Sequence, residues 1–560
     1  MKASTRKELL PAAVLGALAL IASAVILRAG RDTIFFFDEW DFLLGRRGTS
    51  VDTFLEPHVG HLSLVPILIY KTLFSTVGLE PYWPYRVVVL LFHLVCVGLF
   101  YAVARRRVGA WPAVGLAALL LFVGSAWEVL LWPFEISYLA SLAAGLGAWL
   151  VLSEEGRGRD ISASVLIGLA VASSGVGVPV ALGVLAGLLL DPERRSRAWL
   201  VAPPLALYAI WLIGWGLPAE SPERIDLANL PDTPRYMAEM AASAAGGLSG
   251  LGEDWGRIFV AVFATVVLFR VLRSGVSAWL GAGLVTAFAF WGLTGLARAD
   301  VSPASTSRYI YPSAVFLLLI VLALPGRAGT WRTWATRRRL LWVIVAGAVV
   351  LAAIGNLAPL RDGGRHLRTA TDAVVPTLAA LEVGGSAIPP DTRPEPQYAP
   401  QVAAGQYLAA VRDRGSALPD GLAGELRGPD APAVEAALIR AEGINLARAT
   451  GVAIAADPPR VLQAIMGRTR TSEGCVRFSP GGASAALDVE ARAGQRLTVL
   501  NRGQVPAEVR LRRFAPDFPA AALGAVPPRA RQALSLPDDP NPAAWAVRIS
   551  PGGPVLVCMA

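Results

Sequence analysis

Residues 9–27 read LLPAAVLGALALIASAVIL, and residues 35–44 read FFFDEWDFLL. The first is an unbroken apolar run, and roughly 20 such residues cross the hydrocarbon core of a bilayer. The second sets three carboxylates, Asp38, Glu39 and Asp41, among aromatic and aliphatic side chains a few residues later. That order decides the class of fold. A span followed closely by acids describes a membrane protein that keeps charge at its surface, since a carboxylate inside hydrocarbon is costly. A basic start before an apolar stretch is also how a cleaved signal peptide begins. This run is longer than a usual signal core, however, and Val25-Ile26-Leu27-Arg28 follows the only small-residue cleavage candidate. An uncleaved anchor is therefore expected.

The rest of the chain agrees. Of its 560 residues 54% are hydrophobic and only 17% charged, against about 25% charged in soluble domains. The net charge of +9 raises the question of nucleic acid, but Lys and Arg are distributed by loop. Clusters recur at alternate loops: Lys2, Arg6 and Lys7; Arg105 to Arg107; Arg157 and Arg159; Arg194, Arg195 and Arg197; Arg270 and Arg273; then Arg327, Arg332 and Arg337 to Arg339. The stretches around Trp132 and Ser174 have none. This is the positive-inside pattern, with a cytoplasmic amino terminus. Once it is subtracted, no basic patch with interleaved aromatics remains, which excludes nucleic acid as a partner.

Hydropathy and loop charge predict about eleven spans, near residues 9–29, 83–104, 110–127, 136–152, 161–173, 176–190, 198–216, 256–273, 278–297, 308–325 and 340–358. The fifth and sixth are short, joined by SSGVGVP at 173–179, and a re-entrant pair is the other reading. Three outer segments are long enough to hold structure. The first outer loop, about 30–82, carries the acids and then FLEPHVGHLSLVPILIYKTLF, whose apolar spacing from Leu62 to Phe74 suits an interfacial helix with Lys71 reaching the headgroups. The second is 217–255. The third is RADVSPASTSRYIYP, 298–312.

After about Leu360 the hydropathy collapses, and an odd number of spans puts the remainder outside. Residues 365–468 carry helical patterns such as Gln401 to Arg412 and Ala433 to Ala441. From Cys475 the period becomes two, in CVRFS, AALDVEA, RLTVLN, AEVRLRRF, AWAVRIS and PVLVCM, which predicts a small β-sandwich. Cys475 opens the first of these strands and Cys558 lies in the last. In an oxidising compartment they are disulfide candidates, the alternative being two buried thiols. The expected organisation is a mostly α, polytopic transmembrane domain (1–360), an extracytoplasmic helical linker region (361–470) and an extracytoplasmic β-sandwich-like domain (471–560).

The acids have an ordinary reading, as water-facing residues at a helix amino terminus. Their context favours another. A long first outer loop with an acidic pair soon after span one, then an interfacial helix, resembles the GT-C glycosyltransferases. FFFDEWDFLL, EPHVGHLSLVP, GSAWEVLLWPFEISY and STSRYIYP carry the resemblance, which covers about residues 1–360. It implies a polytopic enzyme that takes sugar from a polyprenyl-phosphate donor and keeps a catalytic Asp or acidic pair in that loop. Carried over, Asp38 is the base and Glu39 orients the acceptor or helps bind a divalent cation, Mg or Mn; no cofactor is otherwise called for. Asp41 shares a face with Asp38 only if the segment is helical. Val59-Gly60 departs from the polar Asn-Glu expected between the two histidines, which weakens a metal site there.

Chemistry supports one base. A lipid phosphate is an anionic leaving group of low basicity and needs no general acid, unlike the alkoxide expelled in glycoside hydrolysis. Inverting transfer then needs a carboxylate within reach of the acceptor hydroxyl and positive charge at the phosphate. His58 and His61, spaced i, i+3, share a face on a helix and suit metal or phosphate, or are interfacial residues bonded to backbone. Arg308 suits bidentate phosphate binding, or headgroup contact. Tyr309 suits stacking on sugar. Glu128 and Glu135, among Trp127, Trp132 and Phe134, suit an acceptor cleft, or belong to an interfacial aromatic belt. Arg46 and Arg47 are phosphate candidates or loop charge. The leading expectation is inverting transfer to a glycan, lipid or protein acceptor at the outer face of the cytoplasmic membrane. The alternatives are a transporter or flippase of envelope precursors, for which internal repeats and mid-membrane charges are missing, and a non-catalytic protein with a recruiting outer domain.

Overall fold

The computed structural model describes residues 2–219, 225–324, 339–449, 453–514, 516 and 519–560. The basic cluster at Arg327, Arg332, Arg337 and Arg338 lies outside them. The chain divides into two compact units, one made of 1–33, 46–73 and 83–368, the other of 34–45, 74–82 and 369–560. The acidic segment therefore groups with the carboxyl-terminal part of the sequence, and the two histidines with the helical part.

Among the described residues seven helices are long and apolar enough to cross a membrane: Leu9–Ala29, Trp83–Val108, Pro133–Leu152, Arg195–Gly216, Glu253–Ser274, Ala278–Arg298 and Val343–Ala387. An eighth is counted if Ala110–Leu121 and Gly124–Leu131, bent by 41°, form one span. The chain is a multi-pass membrane protein, with fewer such helices than the eleven spans expected. The segments at 161–173, 176–190 and 308–325 are the helices Arg157–Val171, Gly177–Leu190 and Ser307–Ala323, of 15, 14 and 17 residues. At 1.5 Å per residue the first two reach only about 22 Å, short of a hydrocarbon core about 30 Å thick. Ser307–Ala323 is buried along nearly its whole length, which makes it a central helix of its unit.

Alternate loops meet at opposite ends of these helices. At one end Arg106 donates to the Leu150 carbonyl at 3.4 Å and Arg194 to the Leu152 carbonyl at 3.1 Å, Arg197 pairs with Asp160, and Arg107 lies 4.7 Å over Trp279. At the other end the Asp226 N–H donates to Leu296 O at 3.0 Å, the Val65 N–H to Ala172 O at 3.1 Å, and Asn229 bonds Asp300. The arginine clusters at 105–107, 157–159 and 194–197 thus share one end of these helices, and the loops near Ala172, Leu296 and Asp300 the other.

The bend near residue 122 has a local cause. The Ser125 N–H, left without a helical acceptor at the break, donates to Asn356 Oδ1 at 2.9 Å, and Asn356 Nδ2 donates to the Gly247 carbonyl at 2.7 Å. One buried amide so satisfies backbone groups of two other helices, which hydrocarbon demands.

The second unit holds eleven described strands in two antiparallel sheets. They are β1 (Leu446–Arg448), β2 (Val461–Ile465), β3 (Gly467–Ser472), β4 (Cys475–Pro480), β5 (Ala486–Ala491), β6 (Arg496–Asn501), β7 (Ala507–Arg512), β8 (Ala521–Val526), β9 (Arg531–Ser535), β10 (Trp545–Ser550) and β11 (Val555–Met559). The orders are β1-β9-β6-β11-β4-β3 and β2-β5-β10-β7-β8. All six strands expected from period two are present. The sheets nevertheless begin before residue 471, because β2 pairs with β5 and β3 with β4. Phe478, Val499, Val557, Leu487, Leu511 and Trp545 are among the fully buried residues of these strands. Ahead of them lie the expected helices Ala404–Arg414 and Ala431–Ala441.

Cys475 and Cys558 stand opposite each other in the β4–β11 register and are disulfide-bonded, with Cα atoms 4.0 Å apart and a sequence separation of 83. Cys96 is buried in its helix, its thiol against the Leu139 carbonyl.

Candidate functional site

In the second unit the acids sit on a turn and one short helix. Phe37 adopts φ 46°, a left-handed conformation unusual for a bulky residue, and the next residue, Asp38, stands at the amino-terminal boundary of the helix Glu39–Leu44 without a side-chain capping bond. Burial separates the three carboxylates. Glu39, Trp40, Phe42, Leu43 and Leu44 are buried, whereas Asp38 and Asp41 are half-buried and Gly45 is exposed. Residues 38, 41 and 45 follow the i, i+3, i+7 spacing of one helix face, so the open side carries Asp38 and Asp41. The sequence reading had paired Asp38 with Glu39 instead.

Glu39 is fully buried and engaged. Its Oε2 accepts from the Phe36 N–H at 3.0 Å and from the Tyr82 hydroxyl at 2.8 Å, and Oε1 lies 3.1 Å from the same hydroxyl. The aromatic residues around it turn inward. Phe35 packs edge-on to Trp40 and Tyr82 at 5.5 and 4.9 Å, and Trp40 meets Tyr407 at 6.2 Å. Phe35, Trp40 and Phe42 form its core, and of its aromatic residues only Phe37 is exposed. Asp38 Oδ1 accepts from the Gln401 amide at 3.4 Å, and Tyr398 O accepts the Phe37 N–H at 3.2 Å. Tyr82 and Gln401 had carried no signal in the sequence, since their contacts arise from segments 43 and 363 residues away.

The two expected cation ligands differ in setting, Glu39 being fully buried and Asp38 half-buried. Both oxygens of Glu39 face the Tyr82 hydroxyl, and among the described residues no three His, Cys, Asp or Glu side chains gather as a metal-binding set.

In the first unit the remaining candidates gather at the arginine-poor end. Arg308 is held by Glu128, whose Oε2 accepts the Arg308 backbone N–H at 2.9 Å while Oε1 pairs with Nη1 at 3.4 Å. Ser307 Oγ in turn accepts the Glu128 N–H at 3.1 Å. The guanidinium leans over the Tyr309 ring at 5.6 Å, and the Tyr309 hydroxyl is 3.3 Å from Ser302 Oγ. Arg308 keeps 29% of its side chain exposed. Glu135, Tyr138 and Arg298 share this electrostatic neighbourhood. Arg298 gives no site signal in the sequence; its place in the last turn of Ala278–Arg298 is what brings it here.

The histidines are not on a helix. His58 and His61 exchange both backbone hydrogen bonds, N–H to O at 2.9 Å each way, around Val59 (φ 52°) and Gly60 (φ 75°). That is a two-residue reversal with both central residues left-handed. The Val-Gly pair where Asn-Glu was expected is thus the turn itself. The His58 ring packs on Phe134 at 5.1 Å, and Phe134 stacks on Trp132 at 5.0 Å. The His61 ring lies so close to Gly175, in SSGVGVP, that a side chain there would collide with it. Burial pushes the His61 imidazole down to about 4, helped by the nearby charges of Arg298 and His58, so it is neutral near pH 7. Lys71, expected at the headgroups, donates to Gly48 O at 2.6 Å and covers Phe54 at 5.2 Å. Arg46 is also taken, donating to Glu56 O and Pro57 O at 2.8 and 3.0 Å.

No family model matches the chain, and no curated protein matches it in sequence. Two solved structures resemble it. One is ArnT from Cupriavidus metallidurans bound to undecaprenyl phosphate, with 14% identity over 68% of this chain and 81% of that one, at a TM-score of 0.43. The other is arabinosyltransferase EmbB from Mycobacterium smegmatis, with 12% identity over 98% of this chain and 64% of that one, at a TM-score of 0.28. Neither overlap reaches that of a shared fold, so the functional reading stands on the chain's own residues.

Proposed function

We propose that this chain is a membrane glycosyltransferase of the GT-C kind, moving a sugar from a polyprenyl-phosphate donor to a cell-envelope acceptor with inversion. The observation that carries it is the open face of the helix Glu39–Leu44. Asp38 and Asp41 remain half-buried there, while every other side chain of the helix is turned inward. A half-buried carboxylate at a helix start suits the role of a base toward an acceptor hydroxyl, and Asp38, first of the pair, is given that role. Glu39 holds the turn through Tyr82 and Phe36, and Asp41 orients the acceptor or the base.

Arg308 suits the donor phosphate. Glu128 engages its backbone and one terminal nitrogen, which fixes the fork and leaves further donors for phosphate oxygens. Arg298 adds charge nearby, and Tyr309 backs the guanidinium. The disulfide supports an oxidising compartment for the carboxyl-terminal unit, and the arginine-rich loop ends support a cytoplasmic side opposite to Arg308. An orientation with the amino terminus in the cytoplasm and residues 369–560 in the envelope satisfies both.

Purified protein in detergent, given radiolabelled polyprenyl-phosphate sugars and envelope extract, is expected to move label to an acceptor with inverted anomeric configuration. Arg308→Ala is expected to raise the donor KM with a smaller change in kcat. Label that stays on the lipid, together with precursor release from loaded vesicles, marks a transporter instead.

A further inference from the structure

The outer side of the six-stranded sheet carries a row of cations that folding does not explain. Directly opposed residues in antiparallel strands point to the same face. The register therefore runs Arg470 on β3, Arg477 on β4, Leu556 on β11, Leu500 on β6 and Arg531 on β9. Arg468, two residues before Arg470, extends it along β3. The opposite face carries Phe478, Val476, Val557 and Val499, all buried, so the arginines lie on the outside. Arg468, Arg470, Arg477 and Arg531 are exposed and make no ion pair among the described residues. The strands contribute no carboxylate to this face; Glu473 sits in the β3–β4 turn beyond the row.

Arg470 directly opposite Arg477 is a like-charge cross-strand pair, which destabilises a sheet. An anion bridging the two removes that cost. Five strands at a spacing of about 4.8 Å make the row roughly 19 Å long, wider than a single small anion. A membrane-docking surface would set exposed apolar side chains among the cations; here Leu500 and Leu556 are half-buried. We propose that this face binds an extended polyanionic glycan, a polymer bearing carboxylate or phosphate groups, along the arginine row. The proposal rests on the outward placement of this unit given under Proposed function, and it extends that reading by naming the kind of polymer the unit holds.

The test uses the full-length protein in detergent, with alginate as the polyanion, dextran as the neutral control and phosphatidylglycerol vesicles as the lipid arm. Wild type is expected to bind alginate, to release it as salt screens the charges, and to ignore dextran. Arg470→Gln/Arg477→Gln is expected to weaken alginate binding at least about tenfold while transfer to a small soluble acceptor stays unchanged, so the outcome is separate from that of the catalytic reading. Melting of the variant at or above the wild-type temperature reports relief of the like-charge pair; should it fall, Arg470→Gln alone, on the edge strand, repeats the comparison. Equal alginate affinity in variant and wild type overturns the proposal, as does equal binding of dextran. Arginine-dependent binding confined to the vesicles overturns it in favour of a lipid surface.

Discussion

Asp38 and Glu39 are neighbours in sequence with opposite surroundings, and the difference predicts opposite phenotypes. Glu39 accepts from Tyr82 and Phe36 inside a fully buried pocket. Leaving a buried polar group without its hydrogen-bond partner costs about 1–3 kcal/mol. Glu39→Gln and Tyr82→Phe are each expected to destabilise the second unit by that order. The double variant should lose clearly less than the sum, because both remove the same interaction; thermal melting of the four proteins checks it. At Val59 the left-handed backbone disfavours a β-branched residue. Val59→Asn is expected to raise the melting temperature, by about 1 kcal/mol of stability.

At the scale of elements, Asn356 is the test of how a broken span is tolerated. Asn356→Leu leaves the Ser125 N–H without its acceptor in an apolar surrounding, and about 1–3 kcal/mol of stability is expected to go with it, read as a lower melting temperature in detergent. Such features explain what was legible beforehand. Apolar length and arginine placement located the helices at nearly all the expected positions, and period two located β4, β5, β6, β7, β10 and β11. Strands β3 (GRTRTS) and β8 (AALGAV) escaped because neither alternates apolar with polar residues; β3 is an edge strand exposed along most of its length. The His58–His61 spacing read as helical because i, i+3 alone does not distinguish a helix face from a two-residue reversal, and Val59 gives no turn signal. Asp38 was legible by its place after the first span. That Asp41 shares its face followed only on the condition of a helix, and the burial of Glu39 was not legible, since it depends on Tyr82, distant in sequence.

At the scale of the whole molecule, the two units are expected to respond to pH in opposite directions. In the first, desolvation pushes His61 down to about 4 from an ordinary 6.5. Its folded pKa is depressed, so the stability it contributes is whole above pH 6.5 and is lost as the pH falls toward 4. In the second, both carboxylate oxygens of Glu442 are buried without a donor among the described residues. Burial, with the charge of Asp539 adding and Arg513 opposing, raises Glu442 from 4.5 to about 7. Its folded pKa is elevated, so its stability is whole below pH 4.5 and is lost as the pH rises to about 7. Hydrogen exchange corrected for intrinsic rates should show 58–61 opening more at low pH and 431–445 more at neutral pH, with Glu442→Gln removing the second trend. The disulfide closes so long a loop that Cys475→Ser is expected to cost about 4 kcal/mol, with the wild type alone changing mobility on reduction.

The central claim is that Asp38 takes the acceptor proton. Transfer of labelled sugar by wild type and Asp38→Asn, matched for melting temperature, tests it most directly. A loss of about 10²–10⁴-fold in kcat with donor binding retained is the predicted result. Equal transfer by the two folded proteins contradicts it.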